Sequence, residues 1–157
     1  MASAATNREA SRDYLAGLLD TALVDGGYAQ AVYNYQPGKI EKAPVIIVVS
    51  AGSARELMGM GNEKHDNTFR FLIKICVADA DSSAGWTEQE VEDQLDLLEK
   101  EVQDVITDNR SPSQNGSVPW SHLYREEGMS EIIYVPDLDG LSYVVEMIPV
   151  IARVFDS

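Results

Sequence analysis

The side chains able to do chemistry are few in this chain and poorly spaced for it. His65 and His122 stand in separate loop-like stretches. Neither has a His, Cys or carboxylate at a spacing that one helix or hairpin would gather into a zinc site. Asp79 with Asp81, and Asp137 with Asp139, resemble fragments of a calcium loop. Neither run continues with the further oxygen ligands and the terminal Glu that such a loop needs. Asp and Gly favour tight-turn geometry, which explains both pairs. The glycine-containing stretch VSAGSARE around Ser50 follows an apolar run, the setting of a phosphate loop, but lacks its spacing and its lysine. Ser50 and Ser53 lack the nucleophile-elbow pattern. Cys76 is the only cysteine, so no intramolecular disulfide or thiolate cluster can form, and its place within a strand pattern predicts a small buried or half-buried hydrophobe rather than a nucleophile. The residues name no catalytic group, no cofactor-binding group and no metal ligand. The chain is expected not to be an enzyme.

What the sequence specifies well is a frame. Phe69, Phe71, Ile73, Ile75 and Val77 alternate with Thr68, Arg70, Leu72, Lys74, Cys76 and Ala78, the period of a half-buried strand. The period then changes. Val91, Leu95, Leu98, Val102 and Ile106 recur every three or four residues as one apolar stripe on a helix whose opposite face is almost all acid. Thr87 and Glu90 form a capping box at its start, with Trp86 and Val91 at the positions of a hydrophobic staple. Burying five such side chains stabilises by at most on the order of 10 kcal/mol, against about 1 kcal/mol for the cap, so packing must dominate.

The remaining elements follow in order. Met1 to Ala5 are small and expected to fray. Thr6 and Glu9 form a second capping box, and Tyr14, Leu15, Leu18, Leu19, Ala22 and Leu23 make an amphipathic helix that Gly26 and Gly27 end. A strand is predicted from Ala29 to Gln36, stopped by Pro37 and Gly38. Val45 to Val49, VIIVV, shows no alternation and predicts a strand covered on both faces. Glu131 to Val135 and Leu141 to Val154 read as a closing hairpin, with Pro149 demanding a bend or an edge because it removes a ladder donor. Two long connections, 50–66 and 110–128, separate these elements. The first holds Met58 and Met60, suited to an adaptable contact, and reads as a flexible tip or as an arm on a partner. The second holds Trp120, Leu123 and Tyr124, apolar anchors that either tuck onto the core or meet a partner. Met58, Met60, Trp120 and Tyr124 are the candidate protein-interface residues. The fold class expected is α+β in a single domain spanning 1–157: one mostly antiparallel sheet with two helices packed on it, in the order helix, three strands, helix, two strands.

Charge narrows the function classes. The chain carries −14, and Trp86 to Ser157 holds sixteen acidic residues against Lys100, Arg110, Arg125 and Arg153, or −12 of that total. Tight nucleic-acid binding needs clustered Lys and Arg, which are absent from the sequence. No apolar run approaches a membrane span, and the first residues lack a secretory pattern, so synthesis in the cytosol is expected.

The opening amphipathic helix, VIIVV, FRFLIKICVAD, TEQEVEDQLDLLEKEVQDVI and the closing YVVEMIPVIARV together resemble a tail terminator (tail completion) protein of long-tailed bacteriophages. The resemblance covers most of the chain and lies in element order and helix character. It implies a virion structural protein of the neck, at the top of the tail, with no enzyme activity and no cofactor. Its subunits would form a homohexameric ring that caps the head-proximal end of the tail tube and meets the head connector or a head-completion protein. DNA would pass through the ring without specific binding, and no membrane would be involved. An acidic balance suits such a channel, since it does not attract phosphate. A neighbouring neck or head-tail joining protein, or a monomeric acidic adaptor for a basic partner, are the alternatives.

Overall fold

The computed structural model describes residues 7–37, 43–57, 65–78, 88–126, 128, 130–136 and 142–156. The elements run α1 (Asn7–Leu19), β1 (Ala31–Tyr33), β2 (Val45–Leu57), β3 (His65–Ala78), α2 (Glu88–Asp108), β4 (His122–Arg125), β5 (Glu131–Pro136) and β6 (Ser142–Asp156). The architecture is α+β: two helices on a six-stranded mixed sheet in the order β1-β2-β3-β6-β4, with β5 also on β6. Among the described strand pairs, only the short β1–β2 pair is parallel.

Helix α1 buries Leu15 and Leu19, and a π-helical turn, Asp20–Val24, adds Leu23 to the same row. The glycine pair ends it for two reasons. A Cβ on Gly26 would stand 2.4 Å from the Ala22 carbonyl oxygen, and Gly27 adopts φ +84°, a left-handed conformation that favours glycine. Helix α2 buries Val91, Leu95, Leu98, Val102 and Ile106, the whole stripe legible in the sequence. Its capping box and staple involve Trp86 and Thr87, which lie outside the described residues, as does Thr6 of the other capping box.

Strand β3 is central, antiparallel to β2 on one side and to β6 on the other. Its alternation sorts the sheet into two faces. Phe69, Phe71, Ile73, Ile75 and Val77 join Ile46 and Val48 of β2, Ile148 and Val150 of β6, and the stripes of both helices in one core. The other face carries a smaller cluster of Val45, Ile47, Cys76, Tyr143 and Val145. VIIVV is thus buried on both sides at its start, as its lack of alternation predicts.

Three expectations need correction. The connection 50–66 is largely strand: β2 and β3 stay paired from Val45↔Cys76 to Leu57↔His65, leaving only 58–64 outside the described residues. Its small residues read as loop, yet cross-strand pairing decides. The register shifts between Ser50 and Gly52, and Gly52 takes φ +133°. The glycine in VSAGSARE therefore serves a β-bulge. The connection 110–128 is no free arm. Its first part folds into turns against Tyr14 in the middle of α1 and Asn109 at the end of α2, and His122–Arg125 forms β4, a strand the expected order lacks. Lastly, the strand expected from Ala29 to Gln36 shrinks to Ala31–Tyr33.

Pro149 neither bends β6 visibly out of register nor lies on an outer strand. Its carbonyl accepts from Glu126 N–H at 2.9 Å, so the side of the ring nitrogen that lacks a hydrogen faces the β4/β5 edge. There the neighbour is interrupted: β4 pairs with Val150 to Arg153 and β5 with Ser142 to Met147. The missing donor falls in that gap, which is how an interior strand holds a proline.

Candidate assembly surfaces

The sequence-derived interface residues fall in different places. Trp120 is 1% exposed, donates from Nε1 to the Asn109 carbonyl at 2.8 Å, and meets Tyr14 edge-on at 5.7 Å. Asn115 Nδ2 ties the same turn to Tyr14 Oη and Asn109 Oδ1. Trp120 is a core residue, and its assignment to a partner surface is corrected: a large aromatic gains more by packing against Tyr14 of α1 and the end of α2 than by staying exposed. Tyr124 is half-buried on β4 and stacks on the exposed His122, with ring centroids 4.9 Å apart. Met58 and Met60 lie outside the described residues, as do Asp79, Asp81, Asp137, Asp139 and the side chain of His65.

Among the described residues no three His, Cys, Asp or Glu side chains converge as metal ligands. Cys76 lines a cavity of about 150 Å³ with Lys74, Tyr143 and Met147. Burial raises its thiol from 9.0 to about 11, against a smaller opposing pull from the Lys74 charge. Such a thiol is almost wholly protonated near neutrality and is a poor nucleophile. Folded protein is expected to resist a chromogenic disulfide reagent at mildly alkaline pH and to react fully once unfolded in urea; fast reaction in the fold would contradict the burial. The unfolded thiol ionises near 9.0 and the folded one near 11, so in between the unfolded state binds fewer protons. The stability contributed by this group is intact below 9.0 and is lost as pH rises towards about 11.

Three surfaces of the described residues stand out. The first is the sheet face opposite the helices. Both helices pack on the other side, and no described helix covers Val49, Leu72, Met147, Pro149 and Ile151, which are half-buried. Arg70, Lys74 and Arg153 share that face by alternation. Arg70 pairs with Glu126 at 2.5 Å, and Lys74 donates to Gln36. The second is the outer side of α2. The helix carries nine carboxylates and one lysine, and amid them stands Leu97, a large hydrophobe 38% exposed, beside a shallow groove with Glu90, Asp93 and Gln94. The Lys100 ammonium is held above its ordinary pKa first by its hydrogen bond to Asp104 and then by the charges of Asp104 and Glu101. On the inner flank, Arg125 of β4 bonds Glu99 and Gln103 and so clips α2 to the sheet. The third is a sheet edge. β1 covers only Val45–Ile47, so Val48 to Leu57 has no strand partner on that side among the described residues. The bulge blunts this edge.

Leu97 was legible in retrospect. In QLDLLEK two adjacent leucines cannot both lie on one helical stripe, and Leu98 takes the inward position. The face without a described helix had no such signal, because alternation shows that a strand has two faces and not which neighbour covers each. No protein-family model matches the chain, and no curated protein matches its sequence. No helix is long and apolar enough to cross a membrane among the described residues.

Proposed function

We propose that the chain is a structural subunit of the tail terminator class of long-tailed bacteriophages, assembling as a hexameric ring at the head-proximal end of the tail tube and contacting the head connector. The observation that carries this reading is the sheet face bearing Val49, Leu72, Met147, Pro149 and Ile151 with no described helix over it. Half-buried apolar residues on a sheet face with no described helix over them suit contact with another chain. The net charge of −14 supports a channel that lets DNA pass without adhesion. Element order supports the class, since two helices divide the strands as the resemblance implies. A specific observation, the acidic α2 with Leu97 at its centre, also suits a monomeric adaptor for a basic partner.

The test is negative-stain electron microscopy of concentrated protein with the solution mass measured in parallel. Six-fold rings with a central opening, at six times the 17.3 kDa chain mass, are expected. A monomer at every concentration, capturing a basic protein in a strongly salt-dependent way, would replace the ring by the adaptor.

A further inference from the structure

We propose that the cavity beside Cys76 binds a compact monocarboxylate, with the apolar body of the ligand inside and its carboxylate on the Lys74 ammonium. The inference goes beyond the ring reading and holds for a monomer and a ring alike.

The sheet register builds the site from two neighbouring rows. Ile47, Lys74 and Met147 stand side by side on β2, β3 and β6, and Cys76, Val145 and Ile133 stand side by side on β3, β6 and β5. All six line the cavity of about 150 Å³, together with Tyr143 and Gln36. Ile47, Cys76, Tyr143 and Val145 are buried whereas Gln36 is exposed, so the cavity has a dry floor and opens beside Gln36. A void of this size lined by aliphatic side chains holds a benzene-sized molecule, which sets the body of the ligand at about six carbons. Filling it restores packing contacts that an empty void forfeits.

Charge selects the head group. Lys74 is half-buried and donates from Nζ to the neutral Oε1 of Gln36 at 2.8 Å. It forms no ion pair among the described residues. An ammonium has three donors, so two are left for a ligand. Its field reaches into the cavity, because the Lys74 charge acts on the Cys76 thiol. In the same row the next carboxylate is Glu131, which stands opposite Met147 and so two strand spacings, roughly 10 Å, from Lys74. Glu131 is exposed, and at that distance solvent and salt largely screen it. A phosphate would call for several donors, from arginine or a nest of backbone N–H groups. Among the described residues the lining supplies one ammonium, which a single carboxylate matches and a cationic ligand would meet with repulsion.

The experiment titrates the full chain, labelled with nitrogen-15, with benzoate, benzyl alcohol and benzylammonium in turn. These probes share a ring and differ in the head group. Benzoate is expected to move the amide signals of Lys74, Cys76 and Val145 and to bind about tenfold more tightly than benzyl alcohol, the effect of one charge-assisted hydrogen bond. Benzylammonium should not bind. Lys74→Met should bring benzoate down to the level of benzyl alcohol, and Lys74→Arg should keep the preference. Val145→Phe fills the cavity and should abolish binding of both; Cys76→Leu serves if that variant melts below the parent. Equal binding of benzoate and benzyl alcohol by the parent overturns the proposal, as does a preference that survives Lys74→Met. Signals that move elsewhere, or not at all, overturn it too. Ring formation is read separately by sedimentation, so failure here leaves the ring reading standing.

Discussion

Replacing Leu98 by aspartate is expected to unfold the domain. Leu98 is 0% exposed at the middle of the α2 stripe, against the helix-side face of the sheet. Removing its side chain alone costs about 2–5 kcal/mol. A carboxylate in its place must lose its hydration or hold a proton, adding several kcal/mol more. Domain stabilities are about 5–15 kcal/mol, so the sum reaches the whole of it. The neighbouring Leu97→Asp is the control. That side chain faces solvent from the next position, and its replacement should melt close to the parent. The measurement is far-ultraviolet circular dichroism against temperature and urea for the pair. A Leu98→Asp protein that kept a cooperative transition near the parental midpoint would mean that α2 does not dock through this stripe.

The second large effect is at Trp120. Truncation to alanine should cost about 3–5 kcal/mol for the lost aromatic volume, with about 1 kcal/mol more for the Asn109 carbonyl left without its donor. For a chain of this length that corresponds to a fall in Tm on the order of 10 °C. Trp120→Phe keeps most of the ring packing against Tyr14 and loses the Nε1 bond with part of the indole volume, so it should fall by roughly half as much. The contrast separates two roles. A residue that served only a partner would leave the melting of the isolated chain unchanged in both variants and disturb assembly alone. Trp120 is expected to do the opposite, with its fluorescence shifting to the red on unfolding as the indole meets water.

These two residues also mark where sequence reasoning reached and where it stopped. Leu98 belongs to a pattern that repeats within one element, and its burial follows from helical periodicity whatever the helix packs on. Trp120 sits among Ser, Pro, Asn and Gly, where local pattern signals only turns. Its burial depends on Tyr14 in the middle of α1 and Asn109 at the end of α2 both reaching it, a relation between segments about a hundred residues apart, as the Asn115 bond to Tyr14 illustrates. The same distinction explains β4. HLYR is too short to declare itself, and it becomes a strand because β6 has an unpaired side from Val150 to Arg153. The hairpin through Leu57 and His65 is a further case: SAGSARE has weak strand propensity, and the long β3 beside it supplies the ladder.

By itself the sequence determined the α+β class, the two helices with their buried stripes, the alternation of β3, the double-sided burial of VIIVV and the glycine stop of α1. All of these depend on periods and conformational preferences within a dozen or so residues. Only the tertiary structure decided that both helices share one side of the sheet, that the other side stays free of described helices, that Pro149 meets a gap in its neighbour, and that Leu97 faces outward among carboxylates. The physical reason is that periodicity fixes which residues of an element point together, while what they point at is set by packing between distant segments.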